Sequence, residues 1–403
     1  MNNLTDIILL FSTRIMRLFA YGFLSVILVL YLSEIGLSNY QIGLLLSFTL
    51  LGDVFVSLWV TISADHIGRK KMLIWGSILM IGAGLVFVFT KNVIILTIAA
   101  IIGIISPSGN EIGPFLSIEQ ASLSQILPDE KRTSVFGWYN LAGSFATATG
   151  SLSSGWLAQI LQQSGFTRID SFRIILFGYA ISGIVMIFIF AGLSSKIETG
   201  YKVIKNKIGL HSSKNVIIKL SALFALDAFA GGFIIQSIMA YWFYIQFGID
   251  TGILGNIFFG ANLFAGISAL LAARIAKHIG LINTMVFTHI PSNILLCIIP
   301  LMPNLMSAIF VLMLRFSISQ MDVPTRQSYT MAVVLPDERT AASGITGIAR
   351  SIGASLSPAL SGFFLAHPVL MSVPFFMAGG LKIIYDLSLF SMFKNIKPPE
   401  EKN

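Results

Sequence analysis

Charged residues set inside long apolar runs are the first chemistry this chain offers. Six acids (Asp53, Glu111, Glu119, Asp227, Asp322 and Asp386) and six bases (Arg14, Arg17, Arg315, Arg326, Arg350 and Lys382) stand among Leu, Ile, Phe, Val and Ala. A lone charge in such surroundings costs several kcal/mol or more, so mutual pairing is the first expectation. A carboxyl group in an apolar cavity also holds a proton more readily than in water, and an arginine beside it favours release. Acids of this kind can carry protons, and arginines can hold carboxylate or phosphate groups.

The spacing sorts them. Lys382 and Asp386 lie four apart, as do Asp322 and Arg326, which puts each pair on one helix face. Arg14 and Arg17 lie two turns into the first apolar run and are expected to meet Glu119 at similar depth, with snorkelling to the headgroups as the alternative. Glu111 is flanked by Pro107-Ser108-Gly109 and Gly113-Pro114. A helix interrupted there would free backbone groups for a ligand or ion, which makes Glu111 the leading protonation candidate. Asp227 sits about 16 Å into its run at 1.5 Å per residue. Gly231-Gly232 follows it, and it is expected to face Arg315. His289, with no Cys or second His nearby, is no metal site and reads as a hydrogen-bonded structural residue. The single cysteine, Cys297, has no internal disulfide partner.

The elements that hold these groups are apolar helices. The chain has 403 residues, 55% hydrophobic and only 11% charged, with mean hydropathy +0.83; a soluble domain carries about 25% charge. Apolar runs of roughly 18 or more residues recur along it, each long enough to cross a hydrocarbon core. Alternating short segments of a β-barrel are not seen. The expectation is an all-α polytopic membrane protein. Its twelve helices span roughly 8–33, 41–62, 72–90, 93–126, 133–160, 171–194, 216–246, 252–273, 282–300, 305–334, 340–366 and 371–393. The first run is too long for the apolar core of a signal peptide. Lys and Arg crowd the connections after helices 2, 4, 6, 8 and 10 and the C-terminal tail, whereas the opposite connections hold Lys91 and Arg168, with Arg173 at a helix edge. That asymmetry places both termini and the 195–215 linker in the cytoplasm. It also explains the net charge of +8 without nucleic acid.

The two halves resemble each other. LPDEKRTSVFG at 127–137 matches LPDERTAASG at 335–344, and Ala64-Asp65-His66-Ile67-Gly68 matches Ala276-Lys277-His278-Ile279-Gly280. Six helices, a linker and six more in the same order imply a parallel repeat, with domains at 1–194 and 216–403 joined by 195–215. Twelve helices in two repeats, with Asp65, Gly68, Arg69, Lys70 and Lys71 after helix 2, resemble the major facilitator superfamily of secondary transporters. The motif departs from the family pattern at Thr61, Ser63 and His66. The resemblance implies that helices 1, 4, 7 and 10 line a cavity. It also implies that Asp65, Gly68 and Arg69 form a gating latch, Asp65 meeting a helix N-terminus, Gly68 turning the chain and Arg69 bonding helix-end carbonyls.

No phosphate-cradling loop, nucleophile elbow or metal-ligand cluster marks an enzyme, and no cofactor is expected. The expectation is a secondary transporter of the inner or plasma membrane, drawn toward proton-coupled efflux of small organic molecules by likeness to the drug-efflux branch. Glu111, Glu119, Asp227 and Asp53 are the proton-coupling candidates. Arg14, Arg17, Arg315, Asp322, Arg326 and Arg350 are the substrate-binding candidates. The partners implied are a small-molecule solute, protons or another coupling ion, and membrane lipid. The alternatives are an organic-anion or phosphate-ester carrier or exchanger, and a lipid flippase or non-transporting receptor on the same fold.

Overall fold

The computed structural model describes residues 3–110, 115–127, 129–198, 213–335 and 338–396, and no strand occurs among them. The α-helices are α1 (Asn3–Ser25), α2 (Leu28–Glu34), α3 (Asn39–Ile67), α4 (Arg69–Phe89), α5 (Val93–Ile102), α6 (Phe115–Ile126), α7 (Asp129–Gln163), α8 (Arg168–Ala191), α9 (Lys214–Gly232), α10 (Gln236–Phe247), α11 (Thr251–Ile279), α12 (Leu281–Ile298), α13 (Leu305–Ser319), α14 (Asp322–Ala332), α15 (Arg339–Leu365) and α16 (Val373–Phe393). Each expected span corresponds to one helix, except that spans 1, 4, 7 and 10 are each two helices: α1/α2, α5/α6, α9/α10 and α13/α14. The twelve-span reading therefore holds. Among the described residues, nine segments are long and apolar enough by themselves to cross a bilayer.

The breaks fall at corresponding places in both halves of the repeat, in the first and fourth span of each. The interruption of span 4 is marked by its Pro and Gly residues, and that of span 7 by Gly231-Gly232. Val26-Ile27 and Gln320-Met321 carry no such mark. At the first, the chain tightens locally: the Ile27 N–H bonds Leu24 O three residues back, at 3.1 Å.

The chain packs as two compact units, Met1–Val203 with Ile235–Gly260, and Ile204–Ile234 with Ala261–Asn403. The second half of span 7 and the start of span 8 thus pack with the N-terminal helices. Within each unit the same helices meet. In the first, α1 packs on α7 and α8, and α4 on α8; in the second, α9 packs on α15 and α16, and α12 on α16. This recurrence is the parallel repeat expressed as packing. Small residues make the closest crossings, as expected where lipid tails supply no hydrophobic drive. Gly353 of α15 lies against the backbone of Ala225 in α9, where any Cβ would collide.

The connections poor in Lys and Arg begin their next helix with a side-chain cap. Ser38 forms a capping box with Gln41, Asn92 accepts from Ile94 and Ile95 N–H groups, Thr167 from Asp170 N–H and Asn304 from Ser307 N–H. Each satisfies amide donors left open at a helix start.

The motif connection between α3 and α4 turns on Gly68, at φ +113°, and its counterpart Gly280 turns likewise at φ +86°. The Asp65 side chain lies outside the described residues. At the start of α4 the carboxylate comes instead from Glu198, which accepts from the Arg69 N–H at 2.7 Å and the Lys70 N–H at 3.2 Å. The Arg69 guanidinium donates to Gln125 Oε1 and to Ile197 O, and Lys70 Nζ to Ala191 O and Leu193 O. A Cβ on Gly68 would meet the Glu198 carboxylate at 3.3 Å, in a backbone region that L-residues avoid. Gly68→Ala is expected to destabilise the purified protein by about 1–3 kcal/mol, read as a lowered thermal midpoint, whereas Gly344→Ala, which meets open space, leaves it unchanged.

Candidate functional site

Two charged clusters and one neutral seam lie in the interior. In the first unit, α1 and α6 bring Arg17 against Glu119 in a two-pronged pair, Nη1 to Oε1 and Nη2 to Oε2, both at 2.7 Å. Both side chains are fully buried. Thr13 donates to the same carboxylate at 2.9 Å, and so does the Tyr139 hydroxyl of α7. The Arg17 guanidinium lies 4.8 Å above the Phe115 ring. A planar fork on a carboxylate with two further donors satisfies most of the lone pairs that burial exposes. Of the two arginines expected at Glu119, Arg17 makes the pair. Arg14 turns to α7, donating to Tyr139 O at 2.8 Å and Asn140 Oδ1 at 3.1 Å, with its guanidinium over the Tyr139 ring.

In the second unit, Asp227 of α9 gathers three cations from three helices. Lys382 Nζ of α16 donates to Oδ1 at 2.6 Å. Arg350 of α15 and Arg326 of α14 donate to Oδ2 at 2.9 and 3.3 Å. Arg326 also donates to Asp322 Oδ2 at 2.6 Å, the one-turn pair read from the spacing. Lys382 and Asp386 do not form theirs. Asp386 instead takes His289 Nδ1 at 2.8 Å and Asn293 Nδ2 at 2.9 Å, both from α12. One lysine cannot fill a buried carboxylate's lone pairs, and the α12 face supplies two donors at once.

The expected meeting of Asp227 with Arg315 is also corrected. Arg315 lies in α13, above the Phe316 ring at 4.9 Å, and among the described residues no carboxylate pairs with it. It stands eleven residues before Arg326, about 16 Å along a helix, on the other side of the break at Gln320-Met321. Asp53 lies half-buried on α3 and accepts from Ser57 one turn on. Glu111 lies outside the described residues.

The neutral seam runs along the breaks of spans 1, 4 and 7 in the first unit. The Gln236 amide at the start of α10 donates to Ser25 Oγ at 2.8 Å and Ser151 Oγ at 3.2 Å. Ser237 donates through its N–H and its hydroxyl to Pro107 O, at 3.1 and 2.5 Å, and Thr147 Oγ1 to Gly109 O at 3.3 Å. Carbonyls freed by a broken helix in a membrane must find donors within the protein, and these side chains supply them. Reading for charge alone passed over them. The signal that could have found them is Ser-Gln-Thr placement opposite the Pro/Gly interruptions.

A helical repeat with broken first and fourth spans and buried charges agrees with one sequence family. The Major Facilitator Superfamily profile matches residues 10–358. The chain belongs to the major facilitator superfamily. It is thus a multi-pass membrane transporter, not an enzyme. An uncharacterized membrane protein of Saccharomyces cerevisiae is 29% identical, covering 97% of this chain and 94% of its own. Among solved structures, a bacterial homologue of the human lysosomal transporter Spinster, inward-facing and occupied, superposes with a TM-score of 0.76 at 15% identity, covering 97% of this chain and 96% of that one. A D-xylose–proton symporter gives 0.72 at 15% identity, covering 98% and 99%. At these identities the likeness is one of fold.

Proposed function

We propose that this superfamily member is a proton-coupled secondary transporter that exports small organic solutes by alternating access, with Asp227 and its cations as the coupling centre. One observation carries the reading. A carboxylate in the interior of α9, five residues before that helix breaks, is held by cations from three other helices. Solute that draws a cation away changes the charge on Asp227, and proton occupancy and solute occupancy become linked. Lys382 and Arg350 are only partly covered, their side chains 12% and 31% exposed, so they are the members of the cluster a solute can reach. The symporter among the structural neighbours supports coupling to protons on this fold. We place both termini in the cytoplasm of an inner or plasma membrane, on the loop-charge asymmetry.

A second reading draws on the same cluster. Asp227 and Asp322 face Arg326, Arg350 and Lys382, one cation in surplus, and Arg315 adds a further buried guanidinium. An organic anion or phosphate ester would be held by such a surplus.

The test starts with a thermal-shift screen of metabolites, phosphates, drugs and lipids, since a ligand that binds the folded state alone raises stability by mass action. Hits are then followed in proteoliposomes. The expected result is solute movement driven by an imposed pH gradient alone and lost in Asp227→Asn. Movement only in exchange for a preloaded anion would favour the second reading. Lipid transfer with no soluble solute would favour a flippase, and binding without any movement a receptor.

A further inference from the structure

We propose that His289 and Asp386 form a proton-binding dyad outside the coupling centre, and that Lys382 swings between Asp386 and Asp227 according to the state of that dyad. This rests on the proton-coupled reading above and deepens it by naming where the proton sits.

The dyad is built between α12 and α16. His289 and Asp386 are buried, and so are Ser292 and Asn293 beside them. An ionised Asp386 can only accept, so His289 Nδ1 bears the hydrogen of their bond. That leaves Nε2 for a second proton, and among the described residues no hydrogen bond reaches it. Ser292 Oγ and Asn293 Oδ1, on the next turn of α12, are also buried without a donor. A histidine is the side chain whose charge changes between about pH 5 and 8. A closed aromatic and aliphatic wall around three unengaged polar atoms is a place where a proton, with or without a water, would be held.

The charges show why the proton goes there and not to Asp227. Both Asp227 oxygens are taken by cationic donors, so a proton could bind only by displacing one. Asp386 holds one neutral amide and the imidazole. The connected set contains three carboxylates (Asp227, Asp322 and Asp386) and three permanent cations (Arg326, Arg350 and Lys382). It is neutral when His289 is neutral and carries one positive charge when His289 is protonated.

The groups facing His289 come from each helix packed on α12. The α16 helix brings Asp386, Lys382 and Tyr385, whose ring centre lies 6.1 Å from the imidazole. The α14 helix brings Asp322, Arg326 and Tyr329, and α13 brings only Arg315. The α12 helix itself adds Cys297.

Lys382 is the mobile member. It lies one helical turn from Asp386, within reach of it, yet sits on Asp227 at 2.6 Å. With His289 protonated, Asp386 already has a cationic partner, and Lys382 is repelled onto Asp227; this is the arrangement observed. When the proton leaves for water, Asp386 keeps only neutral donors and becomes the stronger attractor. Lys382 crosses to it, and Asp227 is left to two arginines. Proton occupancy at the dyad thereby resets the charge presented to solute at the coupling centre.

The experiment uses the purified full-length chain in detergent micelles, labelled with ¹⁵N in histidine and lysine side chains. His289→Asn and Lys382→Met serve to assign the two signals. The expected result is that the His289 imidazole titrates within about pH 5 to 8, and that the Lys382 amine signal shifts over the same interval. In Asp386→Asn the Lys382 shift is lost, because no second acid remains. A His289 signal constant through that range overturns the proposal. So does a Lys382 signal that ignores it, or one that still follows pH in Asp386→Asn. The wild-type comparison stands even if the variant fails to fold. Failure of the underlying reading is separate: a wild-type protein that moves its solute with no response to a pH gradient, while the His289 and Lys382 signals still move together, would remove proton coupling and leave the dyad as a pH-sensing pair.

Discussion

Arg17→Met and Glu119→Gln, each alone, are expected to destabilise the protein by about 3–5 kcal/mol, because each leaves one uncompensated charge or its donors in a fully covered site. The double variant is expected to recover most of that loss. Its two side chains are both neutral and of similar volume, and replacing a whole buried pair with uncharged groups is often neutral. Thermal unfolding in detergent, followed by circular dichroism, measures all three. The asymmetry between single and double losses is the informative quantity, since it separates the penalty of an orphaned charge from the net worth of the pair. Losses that simply add would show that the two residues act independently and that the two-pronged pair is not what holds α1 to α6.

Asp227→Asn is expected to be the most damaging single change in the second unit. It removes the acid on which Lys382, Arg350 and Arg326 converge, and a cost of about 3–5 kcal/mol follows from leaving buried charge unpaired. Lys382→Met alone should cost much less, since Asp227 keeps two arginines and Lys382 has an exposed edge. Combining Lys382→Met with Asp227→Asn should restore part of the stability, because one of the stranded cations is gone. Solute movement in proteoliposomes is expected to remain absent in the combination, which would separate the structural loss from the functional one. Full stability in Asp227→Asn would show that the three cations find other partners and that the cluster is looser than its distances indicate.

How much of this was legible in the sequence differs from residue to residue. The apolar runs determined the twelve spans, because a segment that must cross about 30 Å of hydrocarbon has little freedom in length or composition. The parallel repeat was legible too, since LPDERT and the glycine turn at Gly280 repeat LPDEKRT and Gly68 in order. The pair Asp322–Arg326 was read correctly because both ends lie on one helix, whose 3.6-residue period fixes their proximity. The same period suggested Lys382–Asp386, and there it failed.

Helical spacing says which side chains can meet on one helix; it does not say which neighbour will bring a better partner. Only the packing of α16 against α9 and α12 decided that Lys382 goes to Asp227 and Asp386 to His289. Packing likewise decided that Arg326 and Arg350, not Arg315, reach Asp227, and that a neutral seam of Ser25, Ser151, Gln236 and Ser237 crosses the broken spans. The sequence by itself determined how many helices cross the membrane and which charges they bury, since both follow from transfer of side chains out of water. Tertiary structure decided who pairs with whom, since a buried charge takes the set of donors that satisfies it best, and those donors come from helices distant in the chain.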